Sequence, residues 1–143
     1  MIGDDRLAVA LETSARPSSI AAVRGRGDIV AHTLDGDRSH ASDLLVELSA
    51  LVSEVGSERG ALDLVICGTG PGSYTGLRVG MATALGLHRG AGAAIVGVPS
   101  FEAIARAGLE HGECGTVVRN AFGGQVYVGR YDRAMEGLSL IHI

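Results

Sequence analysis

The chain has 143 residues, with 12 Arg, 16 Asp and Glu, no Lys and a net charge of −4. That length supports one core-bearing domain without a disulfide or metal staple, and a 46% hydrophobic share beside 20% charged residues excludes a disordered chain. The acidic balance argues against a chain that grips nucleic acid by itself, and the missing lysine rules out Schiff-base chemistry and the lysine of a phosphate loop.

The elements are read in chain order. Leu7–Leu11 is a continuous apolar run suited to a strand buried on both faces. Turn chemistry follows at residues 13–18. Ser19–Val23 and Asp28–Leu34 then read as strands that complete an antiparallel meander. Leu44, Leu45, Leu48, Leu51, Val52 and Val55 mark one face of a helix over Ser42–Val55. Ser39 or Ser42 is its cap and Gly56 its stop. Leu62–Cys67 is a further buried strand. A glycine-rich loop, Gly68–Tyr74, opens a helix over Thr75–Arg89. Ala94–Val98 is a short strand, and Ser100 caps a helix to about Gly108. Thr116–Arg119 and Gln125–Tyr131 form a last pair of strands. The order β-β-β-α-β-α-β-α-β-β indicates an α/β domain with a mixed sheet. Residues 1–135 are taken as one domain, and 136–143 as a truncated or non-native tail.

The residues that could carry chemistry are sparse. The glycine loop before a helix is a ready anion site, yet it matches neither GxxxxGK[ST] nor GxGxxG. The five histidines (32, 40, 88, 111 and 142) show no metal-ligand spacing, and Cys67 and Cys114 read as small buried hydrophobes. Ser14, Ser18 and Ser19 lack the GxSxG elbow, and Glu12 ends a strand as an isolated acid. No catalytic residue and no metal site emerge. Gly76, Gly80 and Gly86 each cost about 0.8–1.0 kcal/mol inside a helix. With Thr83, Ala84 and Leu87, the first two form a small-residue stripe. It either packs on the domain's own sheet or lets a second subunit approach closely.

Gly70-Pro71-Gly72-Ser73-Tyr74-Thr75-Gly76-Leu77-Arg78-Val79-Gly80 closely resembles the signature of the TsaB family. These are accessory subunits of the bacterial machinery that places threonylcarbamoyl on the adenosine beside the anticodon of certain transfer RNAs. Leu11-Glu12-Thr13-Ser14 with Ser19-Ile20-Ala21, Ser39-His40 before Leu44-Leu45, and Val98-Pro99-Ser100-Phe101-Glu102 resemble other parts of the family. The likeness covers about residues 7–131. Glu12 stands where an Asp is usual, and Asn120-Ala121-Phe122 where Asp-Ala-Arg is common.

The resemblance implies an actin-like ATPase (RNase H-like) fold of the type also labelled Gcp-like or peptidase M22, represented here by its N-terminal subdomain. It implies a non-catalytic cytoplasmic subunit that forms a heterodimer with a TsaD-type catalytic subunit and is joined by a TsaE-type ATPase. Transfer RNA is met only through the complex, and no membrane is involved. The docking helices would present His40, Leu44, Leu48, Gly76, Gly80, Thr83, Ala84 and Leu87, so Gly80→Leu is expected to abolish the complex and leave the monomer folded. Glu12, Thr13, Ser14, Gly70, Gly72 and Ser73 are where a vestigial nucleotide site would lie. No cofactor of the chain's own is expected, with ATP or ADP allowed for in the complex. The alternative is an actin-like phosphotransferase or ATPase that uses the Thr13-Ser14 hairpin and the Gly70–Tyr74 loop. Self-association through the same helices is the third reading.

Overall fold

The computed structural model describes residues 5–34, 41–56, 62–134 and 137–142. Five strands form the main sheet: β1 (Leu7–Glu12), β2 (Ser18–Arg24), β3 (Val30–Leu34), β4 (Leu62–Gly68) and β5 (Ala94–Val98), in the order β3-β2-β1-β4-β5. β1–β2 and β2–β3 are antiparallel, whereas β1–β4 and β4–β5 are parallel. The sheet is therefore mixed, as expected from a meander followed by strand–helix units. β1 lies at the centre, which explains why Leu7–Leu11 is an unbroken apolar run.

Two helices pack on one face of this sheet, α1 (Ala41–Glu54) and α2 (Tyr74–Ala91). The core between them holds Val9, Leu11, Ile20, Val65, Cys67, Leu44, Leu48, Leu51 and Ala84. α1 stops where Gly56 takes a φ of 70°, and α2 where Gly92 takes 73°, the left-handed conformation that favours glycine at a helix end. His32 on β3 reaches Glu54 of α1 at 3.3 Å, which ties the meander to that helix.

α3 (Ser100–Gly108) follows β5. Beyond it the structure departs from a single mixed sheet. β6 (Cys114–Phe122), β7 (Gln125–Ala134) and β8 (Gly137–His142) form a separate antiparallel sheet of three strands. Phe101 and Ala105 of α3 pack on Tyr131 to make a small second core. Gly123 and Gly124 both have positive φ, at 63° and 77°, which suits the two-residue hairpin between β6 and β7. The segment read as a tail supplies β8, whose partner is β7. Cys114 is exposed rather than buried, because β6 is an edge strand of this small sheet. Among the described residues, no helix is long and apolar enough to cross a membrane, and no group of three or more candidate metal ligands converges.

Candidate functional site

The carboxyl ends of β1, β4 and β5 meet at one end of the main sheet, where ligands of open α/β sheets usually bind. Three segments converge there: the β1–β2 turn, the Gly70–Ser73 loop and the start of α3. Glu12 ends β1, and its Oε1 accepts from the Ser14 amide at 2.7 Å. Its other oxygen occupies the space that a Cβ on Gly68 would need. Ser14 and Ser100 are each 1% exposed, and their hydroxyls lie 3.2 Å apart. Ser100 Oγ also accepts from the Gly70 amide at 3.1 Å. Ser100 therefore starts α3 without capping it. Pro99 holds the cap position, with no side-chain bond to the helix, because the Ser100 hydroxyl is committed to the loop.

The glycine loop is closed by the chain itself. The Ser73 amide donates to the Ser14 carbonyl at 2.7 Å, and Ser73 Oγ accepts from the Gly76 amide at 3.3 Å. A Cβ on Gly72 would collide with that Ser14 carbonyl. Three amides that a phosphate would want, at Gly70, Ser73 and Gly76, thus already have partners. Glu12, Thr13, Ser14, Gly70, Gly72 and Ser73 do cluster. Gly72 admits the neighbouring β1–β2 turn where the anion reading would have placed a phosphate, whereas Gly70, at a φ of 86°, packs beside Leu77.

The β1–β2 turn is likewise the neighbour of Gly76 and Gly80 in α2. A Cβ on Gly76 would run into the Thr13 carbonyl oxygen, and one on Gly80 into Thr13 Oγ1, with Cys67 Sγ at 3.6 Å. Thr13 Oγ1 donates to the Gly76 carbonyl at 2.7 Å, so strand turn and helix touch backbone to backbone. Thr83 and Ala84 are buried, and Leu87 packs against the main core. Leu44 and Leu48, 2% and 4% exposed, are core residues too. The stripe of small residues therefore faces this chain's own sheet, which corrects the expectation that it meets a foreign subunit. It also overturns the expectation that Gly80→Leu leaves the monomer folded. His40 lies outside the described residues.

The outward side of the two helices carries a different set, and Leu45, read from its spacing as part of the apolar face of α1, belongs to it rather than to the core. On α2, Tyr74 is 74% exposed, Met81 43% and Leu85 50%. With Arg78, whose guanidinium carbon sits 5.5 Å over the Tyr74 ring, they are spaced i, i+4, i+7, i+11 along one helix face. On α1, Leu45 and Val46 are 48% and 68% exposed. The available signal was Leu45, an apolar residue beside the buried Leu44 that one stripe cannot also bury.

Residues 9–141 match the TsaD family, described as tRNA N6-adenosine threonylcarbamoyltransferase. The chain belongs to that family. Among TsaD-family relatives it is similar to the tRNA threonylcarbamoyladenosine biosynthesis protein TsaB of Haemophilus influenzae, at 31% identity, covering 77% of this chain and 46% of that protein. An uncharacterised protein of Mycobacterium tuberculosis is 35% identical over 86% of this chain and 58% of its own length. The solved structure of YeaZ from Pseudomonas aeruginosa superimposes with a TM-score of 0.79 at 26% identity, over 96% of this chain and 65% of that one. The likeness to YeaZ gives this TsaD-family chain the actin-like fold. The chain spans 46% of the length of the Haemophilus protein and 58% of the mycobacterial one.

Proposed function

We propose that the chain acts as a TsaB-type accessory subunit in threonylcarbamoyladenosine formation on transfer RNA, docking a TsaD-type catalytic subunit through the outer face of α1 and α2. The observation that carries this reading is the exposed row Tyr74, Arg78, Met81 and Leu85, flanked on α1 by Leu45 and Val46. Tyr, Arg and Met are enriched where proteins meet, and α1 and α2 share one face of the sheet. The chain supplies no chemistry of its own in this role. A TsaE-type ATPase joins the complex, the setting is the cytoplasm, and transfer RNA is met through the assembly.

The test is co-elution with the TsaD-type subunit on a sizing column, backed by titration calorimetry. Leu85→Asp and Met81→Asp should each weaken association by about tenfold or more while the thermal midpoint stays put. Association unchanged in both variants would refute the surface, and a homodimer lost in the same variants would assign it to self-association instead.

A further inference from the structure

β5 closes one edge of the main sheet, and its sequence, Ala94-Ile95-Val96-Gly97-Val98, holds no charge and no proline. It pairs with β4 in unbroken register, and residues 94–97 are exposed. Natural sheet edges are usually blunted by charge, proline or a bulge. The small sheet follows that habit, since β6 and β8 each meet β7 across a register irregularity. β5 has none of these guards.

The backbone fixes which groups this edge offers. Along a strand, alternate residues turn both their N–H and C=O groups to one neighbour. The Val98 carbonyl accepts from the Thr69 amide at 2.9 Å, so Ala94, Val96 and Val98 face β4, and Ile95 and Gly97 turn their polar groups outward. Among the described residues no strand pairs with that side. The helices leave it open as well. α2 lies over β4 and β5, and Ala103 of α3 lines a groove with Ala10, Ala21 and Ala31, so α3 runs back over β1, β2 and β3.

We propose that β5 pairs antiparallel with β5 of a second copy of this chain, across a two-fold axis at Val96, so that the two main sheets become one. Ile95 and the partner's Gly97 then exchange both backbone hydrogen bonds, and symmetry repeats the exchange. The occupant is a second copy because the strand complements its own reverse. Ile95 and Gly97 share the helix side of the sheet with Val65 and Cys67, so a large side chain meets a residue that has none. Ala94 likewise meets the partner's Val98, and no like charges are opposed. The helices fit too. β4 and its symmetry mate lie three strand spacings apart, about 14 Å, which exceeds the roughly 8–10 Å between packed helices. Five residues a side make an interface below the standard size, so the dimer is weak and forms with concentration. The edge shares no residue with the outward row on α2, so it stands or falls separately from docking there.

The experiment is sedimentation equilibrium of the 143-residue chain up to about 1 mM. The mass should climb from monomer to dimer and stop there, with a Kd on the order of 100 μM. Val96 is 47% exposed, so Val96→Lys should leave the dilute chain folded by circular dichroism. It sets two ammonium groups face to face and should weaken the dimer about tenfold or more, whereas Leu85→Asp should leave the dimer intact. Register is read by oxidative cross-linking in a Cys114→Ser background. Val96→Cys should give a covalent dimer, because facing residues of a non-hydrogen-bonded antiparallel pair have Cα atoms about 4.5 Å apart, within disulfide reach. Ile95→Cys should not, because it faces Gly97 of the partner subunit. A chain still monomeric at about 1 mM, a dimer that survives Val96→Lys or is lost in Leu85→Asp, or equal cross-linking by the two cysteine variants would overturn the proposal.

Discussion

Glycines in α2 that look alike in the sequence do opposite things. Gly76 and Gly80 touch Thr13, whereas a Cβ on Gly86 would meet nothing within 4 Å. Gly86→Ala should therefore recover the helix-propensity deficit and stabilise the fold by about 0.8–1.0 kcal/mol. Gly76→Ala should destabilise it by about 1–3 kcal/mol or more, since the obstacle is a backbone carbonyl that cannot swing away. Urea unfolding of both variants checks the contrast, and equal shifts of one sign would refute the packing described here. The cysteines differ in the same way. Cys114 is exposed and should react with a thiol reagent in the native state, while the buried Cys67 should wait for unfolding. Burial, with help from the Glu12 charge, raises the Cys67 pKa. Its contribution to stability is then intact below the free thiol's value of about 8.5 and is lost as pH rises through the folded-state pKa. Cys67→Ala should flatten that alkaline decline, as read from urea midpoints at several pH values.

At the scale of elements, periodicity located the helices and composition located the strands. α1 was expected at 42–55 and lies at Ala41–Glu54, and α3 lies where it was expected. These segments were legible because a 3.6-residue or unbroken apolar pattern is a local property. The inner and outer sides of α2 were not legible. Small residues signal that some backbone comes close, and nothing local says whose. Here it is Thr13, separated from Gly76 by 63 positions in the chain. Separate pairing of β6, β7 and β8 escaped for a similar reason, since sheet membership depends on distant partners and not on strand propensity. The exposed row on α2 follows once the buried side is known. Tyr74→Ala should accordingly cost partner affinity, measured by calorimetry, by about tenfold, with the far-UV spectrum unchanged.

For the molecule as a whole, the question is what joins two sheets that share no ladder. Arg119 reaches from β6 into the turn and loop of the main sheet. Phe101 and Ser100, adjacent in α3, serve the small core and the loop respectively. The junction therefore rests on a few polar contacts, each worth about 1.5–3 kcal/mol where a charged donor is involved, and on few apolar ones. Such a seam opens locally before the core does. Arg119→Met leaves an apolar side chain in place and removes both hydrogen bonds together with the guanidinium over Phe101. Hydrogen exchange should then quicken at the Ser73 and Ser100 amides, which bond to Ser14 and Gly70 across this end of the sheet. The β1–β2 ladder amides should keep their protection, because their bonds lie within the main sheet. Uniform acceleration everywhere would mean that Arg119 contributes only to global stability. No change at Ser73 or Ser100 would mean that the loop is held without it. Selective release would make Arg119 the tie between the small sheet and the loops at the end of the main one.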